Sequence, residues 1–319
     1  MPIIFEGATI SGGISIEPYI APVGKKAIFG YGENNSSIFV SITNLVSDIG
    51  VVATDTTGVG TSRKNLAAAG YGTDKAIFGY GLYSSGPTIT TTAVTNLVSN
   101  TGVVASDTTG IGTAREQPAA AGYGTDKAIF GYGIGSSSNA VSITNLVSNT
   151  GVVANNTAGV GTERFGLAAA GYGTDKAIFG YGMDFSFAYV SMTNLVSNTG
   201  VVAGNTTGVG TARRGLAAAT YGTDKAIFGY GTTGGGNQSM TNLVSNTGVV
   251  ATDTTGVGTA RDRLAAAGYG IGTAIFGYGQ PSGGTVTSIT NLVSNTGVVA
   301  TNTTGVGTAR YGLAAASYG

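Results

Sequence analysis

From residue 25 onward, short apolar runs alternate with clusters of Gly, Asn, Asp and Thr. One stretch makes the pattern plain. After Arg164 the chain reads Gly-Leu-Ala-Ala-Ala-Gly-Tyr at 166–172, and Gly-Thr-Asp at 173–175 interrupts it. Lys-Ala-Ile-Phe-Gly-Tyr-Gly follows at 176–182, then a loop, then Ser-Met-Thr-Asn-Leu-Val-Ser at 191–197. Asn-Thr-Gly at 198–200 turns the chain into Val-Val-Ala at 201–203. Four such short runs between turn-forming clusters predict four strands, not helices. Leu-Ala-Ala-Ala alone favours a helix by propensity. Here it is short and flanked by Gly, and it predicts the innermost strand of a sheet. Sheets that converge on an axis leave the innermost strand the least room, which suits small side chains.

The whole pattern recurs six times. Its core, Lys-Ala-Ile-Phe-Gly-Tyr-Gly, stands at 26–32, 75–81, 127–133, 176–182 and 225–231, and with Thr for Lys at 273–279. A period near fifty with strand-like content predicts a ring of small sheets. Four antiparallel strands in each of six units give an all-β, six-bladed β-propeller over residues 25–319. The first unit begins at the second strand, and the chain ends on a lone innermost strand at 313–319. The two ends are therefore expected to share one composite blade, which closes the ring and leaves no open sheet edge.

Composition narrows the function. Of 319 residues 56 are Gly, while Lys plus Arg and Asp plus Glu number 15 each. So balanced and sparse a charge attracts no polyanion at long range, which argues against nucleic acid as a partner. There is no Cys, His or Trp, so no disulfide and no thiolate or imidazole metal site can form. No apolar run reaches the roughly 18 residues that span a bilayer, so membrane insertion is not expected. The N-terminal Met-Pro-Ile-Ile-Phe-Glu-Gly lacks the basic start and apolar stretch of a signal peptide.

At the level of motifs the repeat resembles the kelch repeat. An Arg precedes each innermost strand, at Arg63, Arg115, Arg164, Arg213, Arg261 and Arg310. An apolar strand follows, ending in Gly-Tyr-Gly where kelch units carry a Gly pair. An Asn-Thr turn comes next, at 100–101, 149–150, 198–199, 246–247 and 295–296, with Asp48-Ile49 in the first unit. The Trp that kelch units often carry after this turn is replaced by Val-Val. The likeness implies a propeller and no particular activity, since kelch propellers serve many tasks. A chromatin-factor-like propeller, with a similar period and small innermost residues, is the second resemblance.

Where the copies differ is more informative than where they agree. The core Phe falls at 29, 78, 130, 179, 228 and 276, and the loop after the second strand spans 33–40, 82–92, 134–141, 183–190, 232–238 and 280–287. All of the length variation lies in that loop. The next most variable positions directly follow the Arg residues. In an antiparallel four-stranded blade both connections emerge on one side, so one face varies and the other, made of Gly-Thr-Asp and Asn-Thr-Gly turns, is monotonous. The variable face is rich in Ser, Asn, Tyr and Phe, a composition suited to binding. Phe39, Tyr83, Phe165, Phe185, Phe187, Tyr189 and Tyr311 are its candidate contacts.

Catalytic chemistry finds little support. The six Arg residues are expected to satisfy backbone carbonyls between adjacent blades, because a role repeated in every unit is structural. Asp74, Asp126, Asp175 and Asp224 offer one carboxylate per turn, far short of a Ca²⁺ site. The Gly-x-Gly strings lack the Gly-Lys-Ser/Thr ending of a phosphate loop. Glu is scarce and no carboxylate pair recurs. The expectation is a non-enzyme with no cofactor and no metal.

Residues 1–24 precede the repeats and read as an attachment arm, with Ile3-Ile4-Phe5 and Ile14-Ser15-Ile16 as apolar pieces. The opening Met-Pro-Ile-Ile-Phe-Glu-Gly resembles the openings of tailed-bacteriophage structural proteins, notably those of cyanophages. That likeness implies a virion component: a tail-fibre, baseplate or capsid-surface propeller, held to other virion proteins by residues 1–24. It would contact a host-surface glycan or protein, and a homo-oligomer fits as well. An intracellular kelch-like scaffold and a stand-alone lectin-like propeller are the alternatives.

Overall fold

The computed structural model describes residues 24–319. The attachment arm falls outside the described residues, Gly24 excepted. Every regular element from there on is a β-strand. In the unit dissected above, Ala168–Tyr172, Lys176–Gly180 and Thr193–Val196 form a three-stranded antiparallel sheet with Lys176–Gly180 in the middle. The same arrangement recurs in six sheets. In one of them the middle strand Lys26–Gly30 pairs with Thr43–Val46 on one side and with Ala314–Tyr318 on the other. The last strand of the chain thus completes the sheet that the first strand begins, with Lys26 opposite Tyr318 and Gly30 opposite Ala314. The architecture is all-β, built of repeated antiparallel sheets, and is consistent with a β-propeller.

The outermost strand is less regular than its sequence predicts. In the second unit it meets its neighbour only at the bridges Val98↔Val104 and Thr95↔Thr108. Three steps on one strand face four on the other, so one extra residue is accommodated as a bulge. The side chain of Asn96 spans the gap, its Nδ2 donating to the carbonyl of Ala105 at 3.1 Å and to Asp107 at 2.8 Å. Three full strands and one bridged strand per unit replace the four full strands expected.

Backbone hydrogen bonds run from unit to unit along two circuits. At one end of the innermost strands, the N–H of Gly72 donates to Asp126 O, Gly124 to Asp175, Gly173 to Asp224, Gly222 to Gly272, Gly270 to Lys25 and Gly319 to Asp74. At the other end, Gln117 donates to Asn65, Gly166 to Gln117, Gly215 to Gly166, Arg263 to Gly215, Gly312 to Arg263 and Asn65 to Gly312. Each circuit returns to the unit where it began.

The core motif explains how neighbouring units pack. Ile178 and Phe179 are fully buried, as are their counterparts in the other units. Each Phe ring lies where the Gly of the preceding unit leaves space: a Cβ on Gly180 would stand 2.7 Å from Phe228, and one on Gly277 2.8 Å from Phe29. Only Gly permits that approach. The Tyr of Gly-Tyr-Gly, at φ near +65° as in Tyr181, packs on the same Phe with ring centroids 5.2 Å apart. Its hydroxyl donates to a carbonyl of the segment that leads to the next unit, Tyr181 to Val209 at 3.1 Å. Burial raises this phenol's pKa to about 12.

The six Arg residues that precede the innermost strands are fully buried. Arg164, Arg213, Arg261 and Arg310 share one set of bonds, which Arg213 illustrates, while Arg63 bonds only Asn96 and Arg115 only the carbonyl of Thr113. Its Nε donates to Tyr230 O at 2.8 Å, one terminal nitrogen to Thr211 O at 2.9 Å and the other to Asn242 Oδ1 at 2.6 Å. Its guanidinium lies 4.4 Å from the ring centre of Tyr181, in the preceding unit. A guanidinium has no acceptors and stays charged, so a dry site must supply acceptors and a π-face together. The Asn of the third strand is the partner that the sequence pattern did not single out.

That Asn also donates to a latch residue on the outermost segment. Asp55, Asp107 and Asp253 occupy the latch in three units, Asn156, Asn205 and Asn302 in the others. Asp55 accepts the N–H of Thr308 at 3.0 Å and its hydroxyl at 2.6 Å; Asn205 accepts the N–H of Thr162 at 3.2 Å and donates back to that hydroxyl at 2.8 Å. Burial alone would raise the pKa of each Asp, but the hydrogen bonds from Thr and Asn, with the nearby Arg, lower it on balance. A lowered folded-state pKa gives stability that is present above the unfolded pKa and lost as pH falls through the folded value. The triple variant Asp55→Asn/Asp107→Asn/Asp253→Asn is therefore expected to keep its neutral-pH melting temperature. It should lose less of it than the wild type as pH falls below about 4, the pKa of an unfolded Asp. Thermal unfolding across that range checks this; superimposable acid profiles would contradict it.

Candidate binding face

The variable loops and the connections that carry the Arg residues are hydrogen-bonded to each other. Arg63 pairs with Tyr83 and Lys64 with Leu82; Arg164 pairs with Asp184 and Phe165 with Met183; Arg310 pairs with Asn34 and Tyr311 with Glu33. The two most variable segments of the repeat thus share one face, at the Asn65 end of the innermost strands.

Three of the loops, 33–40, 134–141 and 183–190, are the same tight turn. In 183–190 the N–H of Phe187 donates to Asp184 O at 3.1 Å, and the N–H of Ala188 to Asp184 Oδ1 at 2.9 Å. In 33–40 Asn34 plays the same part, accepting from Ser37 through its backbone and from Ile38 through its side chain. One residue of the turn is forced to positive φ: Ser37 at 58°, Ser138 at 62° and Phe187 at 61°. A small polar residue tolerates this region, and a bulky one is an outlier there. Phe187 is nonetheless 71% exposed and Phe185 57% exposed. Two large rings are held out in solvent by a turn whose own hydrogen bonds fix them.

Beneath them Tyr189 is half-buried and bridges Met183 across the turn. It packs against Phe165, Met183 and Ala140, joining this loop to the preceding one. Phe165 is only 6% exposed. It supports the loop from below and is not a surface contact, which corrects its expected place. It is buried because its partner across the small ladder is Met183, not a polar residue.

Of the other expected residues, Phe39 and Tyr311 lie in a second cluster where the first and last units meet. Phe39, Tyr83 and Tyr311 are half-buried. The ammonium of Lys64 pairs with Glu33 and lies 4.9 Å from the ring centre of Phe39 and 5.5 Å from that of Tyr311. Arg263 lies 4.5 Å from the Tyr311 ring and also pairs with Asp262. Burial raises the Asp262 pKa, partly offset by Arg263 and Arg214. Tyr83 stands apart on the longest loop, whose strands Leu82–Ser85 and Thr88–Thr91 form a hairpin closed by Gly86. At the centre of the face a shallow cup of about 70 Å³ is bounded by Asn65, Gln117 and Arg263, with Gly166, Gly215 and Gly312 between them.

A cavity at the opposite end of the innermost strands was not foreseen. It measures about 450 Å³ and lies among the Tyr-Gly-Thr-Asp-Lys turns. The strands carry its signal: along Ala168–Tyr172 buried and half-buried residues alternate, with Ala169 and Gly171 half-buried. The Asp residues of these turns bond their own Lys, Asp175 to Lys176 at 2.8 Å, in keeping with a turn role.

No protein-family model matches the chain, and no curated relative does. Solved structures do match. That of YjhT, a β-propeller-like protein, superimposes with a TM-score of 0.61 over 79% of this chain and 88% of that chain, at 10% identity. At that identity the likeness is one of fold alone.

Proposed function

We propose that the chain is a closed six-bladed β-propeller of kelch type, carried on a tailed-bacteriophage virion, and that it contacts a host-surface glycan or protein through its variable loops. Six equivalent sheets, the shared first-and-last sheet and two returning hydrogen-bond circuits support the closed ring. The Arg before each innermost strand and the Asn-Thr turns support the kelch assignment. The phage setting rests on the opening sequence, with residues 1–24 as the attachment arm to other virion proteins. A chain without His or Cys and with scarce Glu is read as a binder, not a catalyst.

The observation that carries the binding role is the turn at 183–190. A Phe held at φ +61° costs stability of about 1 kcal/mol or more, and its ring, largely exposed, gains nothing from burial. Strain of that kind is retained where a group must be displayed. Phe187→Gly is therefore expected to raise stability by about 0.5–1 kcal/mol while weakening attachment. Phe185→Ala/Phe187→Ala should abolish attachment with the melting temperature unchanged. Thermal unfolding beside binding to host cells and to a glycan array checks both; undiminished binding by the double variant would contradict the assignment.

A further inference from the structure

The cavity at the far end of the innermost strands has a lining of one sign. Lys25, Lys75, Lys127 and Lys176 reach it, and no Asp or Glu does. Three of these cations are balanced by the preceding Asp of the same turn: Asp74 accepts from Lys75 at 2.6 Å, Asp126 from Lys127 at 2.8 Å and Asp175 from Lys176 at 2.8 Å. Lys25 occupies the place that Asp takes in the other turns, and among the described residues no carboxylate forms an ion pair with it. The sixth turn, Gly270-Ile271-Gly272-Thr273, lacks both the Asp and the Lys, so Lys25 adds a charge that nothing opposite cancels.

Deeper in, the cavity changes character. The carbonyl oxygens of Ser317, Gly70, Gly122 and Thr220 stand 3.1–3.3 Å from the places that a Cβ would take on Gly70, Gly122, Gly171 and Gly268. The hydroxyls of Thr220 and Ser317 lie at the same level and donate to the carbonyls of Gly171 and Gly268, so the charged groups of the lining are the lysines of the turns. The rim itself is strained. Thr73, Thr125, Thr174 and Thr223 lie at φ 68–70°, a region that a β-branched residue rarely enters and where Gly would be relaxed. A cleft lined by one sign of charge concentrates the opposite ion, and a volume of about 450 Å³ admits a small molecule.

We propose that this cavity is a site for a small multivalent oxyanion of the phosphate class, bound on the lysines at the mouth and independent of the variable face. Tripolyphosphate is the probe. Titration calorimetry on the full chain should show one tripolyphosphate per chain, weakening steeply with added salt. Lys25→Gln/Lys75→Gln/Lys127→Gln/Lys176→Gln should weaken binding at least tenfold, and Phe185→Ala/Phe187→Ala should leave it unchanged. Lys25→Gln alone, which breaks no ion pair among the described residues, should weaken it several-fold and guards against misfolding of the quadruple variant. Absence of heat with the wild type, or equal affinity in the lysine variants, would overturn the assignment. Because the site lies at the opposite end from the variable loops, neither result bears on host attachment.

Discussion

Removal of residues 311–319 is expected to destroy cooperative folding at ordinary temperature. The segment contains the whole strand Ala314–Tyr318, which pairs along its length with Lys26–Gly30. It also buries Leu313 and Tyr318, each a contribution of about 1.5–3 kcal/mol. Both hydrogen-bond circuits lose a member, since the N–H groups of Gly312 and Gly319 donate to Arg263 and Asp74. The inner edge of the first strand is left open, a template for aggregation. The combined loss exceeds about 5 kcal/mol, comparable to the total stability of many domains. The truncated chain should melt at least 10 °C lower, by the usual conversion of about 2–4 °C per kcal/mol, or fail to stay soluble. An unchanged melting temperature would show that the last strand is dispensable.

The second large effect concerns the buried Arg residues. Arg213→Met preserves bulk and removes every donor. Tyr230 O, Thr211 O and Asn242 Oδ1 each lose a bond that the guanidinium supplied, and the Tyr181 ring loses its cation. Leaving a buried acceptor unsatisfied costs about 1–3 kcal/mol, so the variant should lose about 4 kcal/mol in chemical denaturation. Arg213→Lys should recover only part of this, since one ammonium cannot reach three acceptors in the fork geometry of a guanidinium. By contrast Lys176→Gln removes a pair whose Lys is 45% exposed and should change stability by less than 1 kcal/mol. A loss as small for Arg213→Met would contradict the role assigned to the six Arg residues.

Much of this fold is legible in the sequence because the repeat states it six times. The innermost Ala strands, the core strand with Ile and Phe and the composite first sheet all follow from periodicity and from turn chemistry. The structural role of the Arg residues is readable for the same reason. What escapes is what depends on side chains meeting across the fold. Asn194 is one of several polar residues in Ser-Met-Thr-Asn-Leu-Val, and nothing local marks it as the partner of Arg164. The outermost strand reads as a full strand from Val201-Val202, but one bulge reduces it to bridges. On the variable face Phe165, Phe185 and Phe187 look alike in sequence. The first pairs with Met183 and is buried, while the other two cap a turn and are exposed. The large cavity left only an alternation of half-buried positions as its trace.

The proposed function places recognition where the repeat fails to repeat. A loop graft tests this most directly, because 183–190 and 134–141 have equal length and fold as the same turn. Replacing the first with the sequence Ile-Gly-Ser-Ser-Ser-Asn-Ala-Val exchanges Phe185, Phe187 and Tyr189 for Ser, Ser and Ala, and Met183, Asp184 and Ala188 for Ile, Gly and Asn. Binding of this graft to host cells and to a glycan array, beside the parent, is the measurement. The account predicts a graft that still unfolds cooperatively and binds at least tenfold more weakly; binding equal to the parent would contradict it.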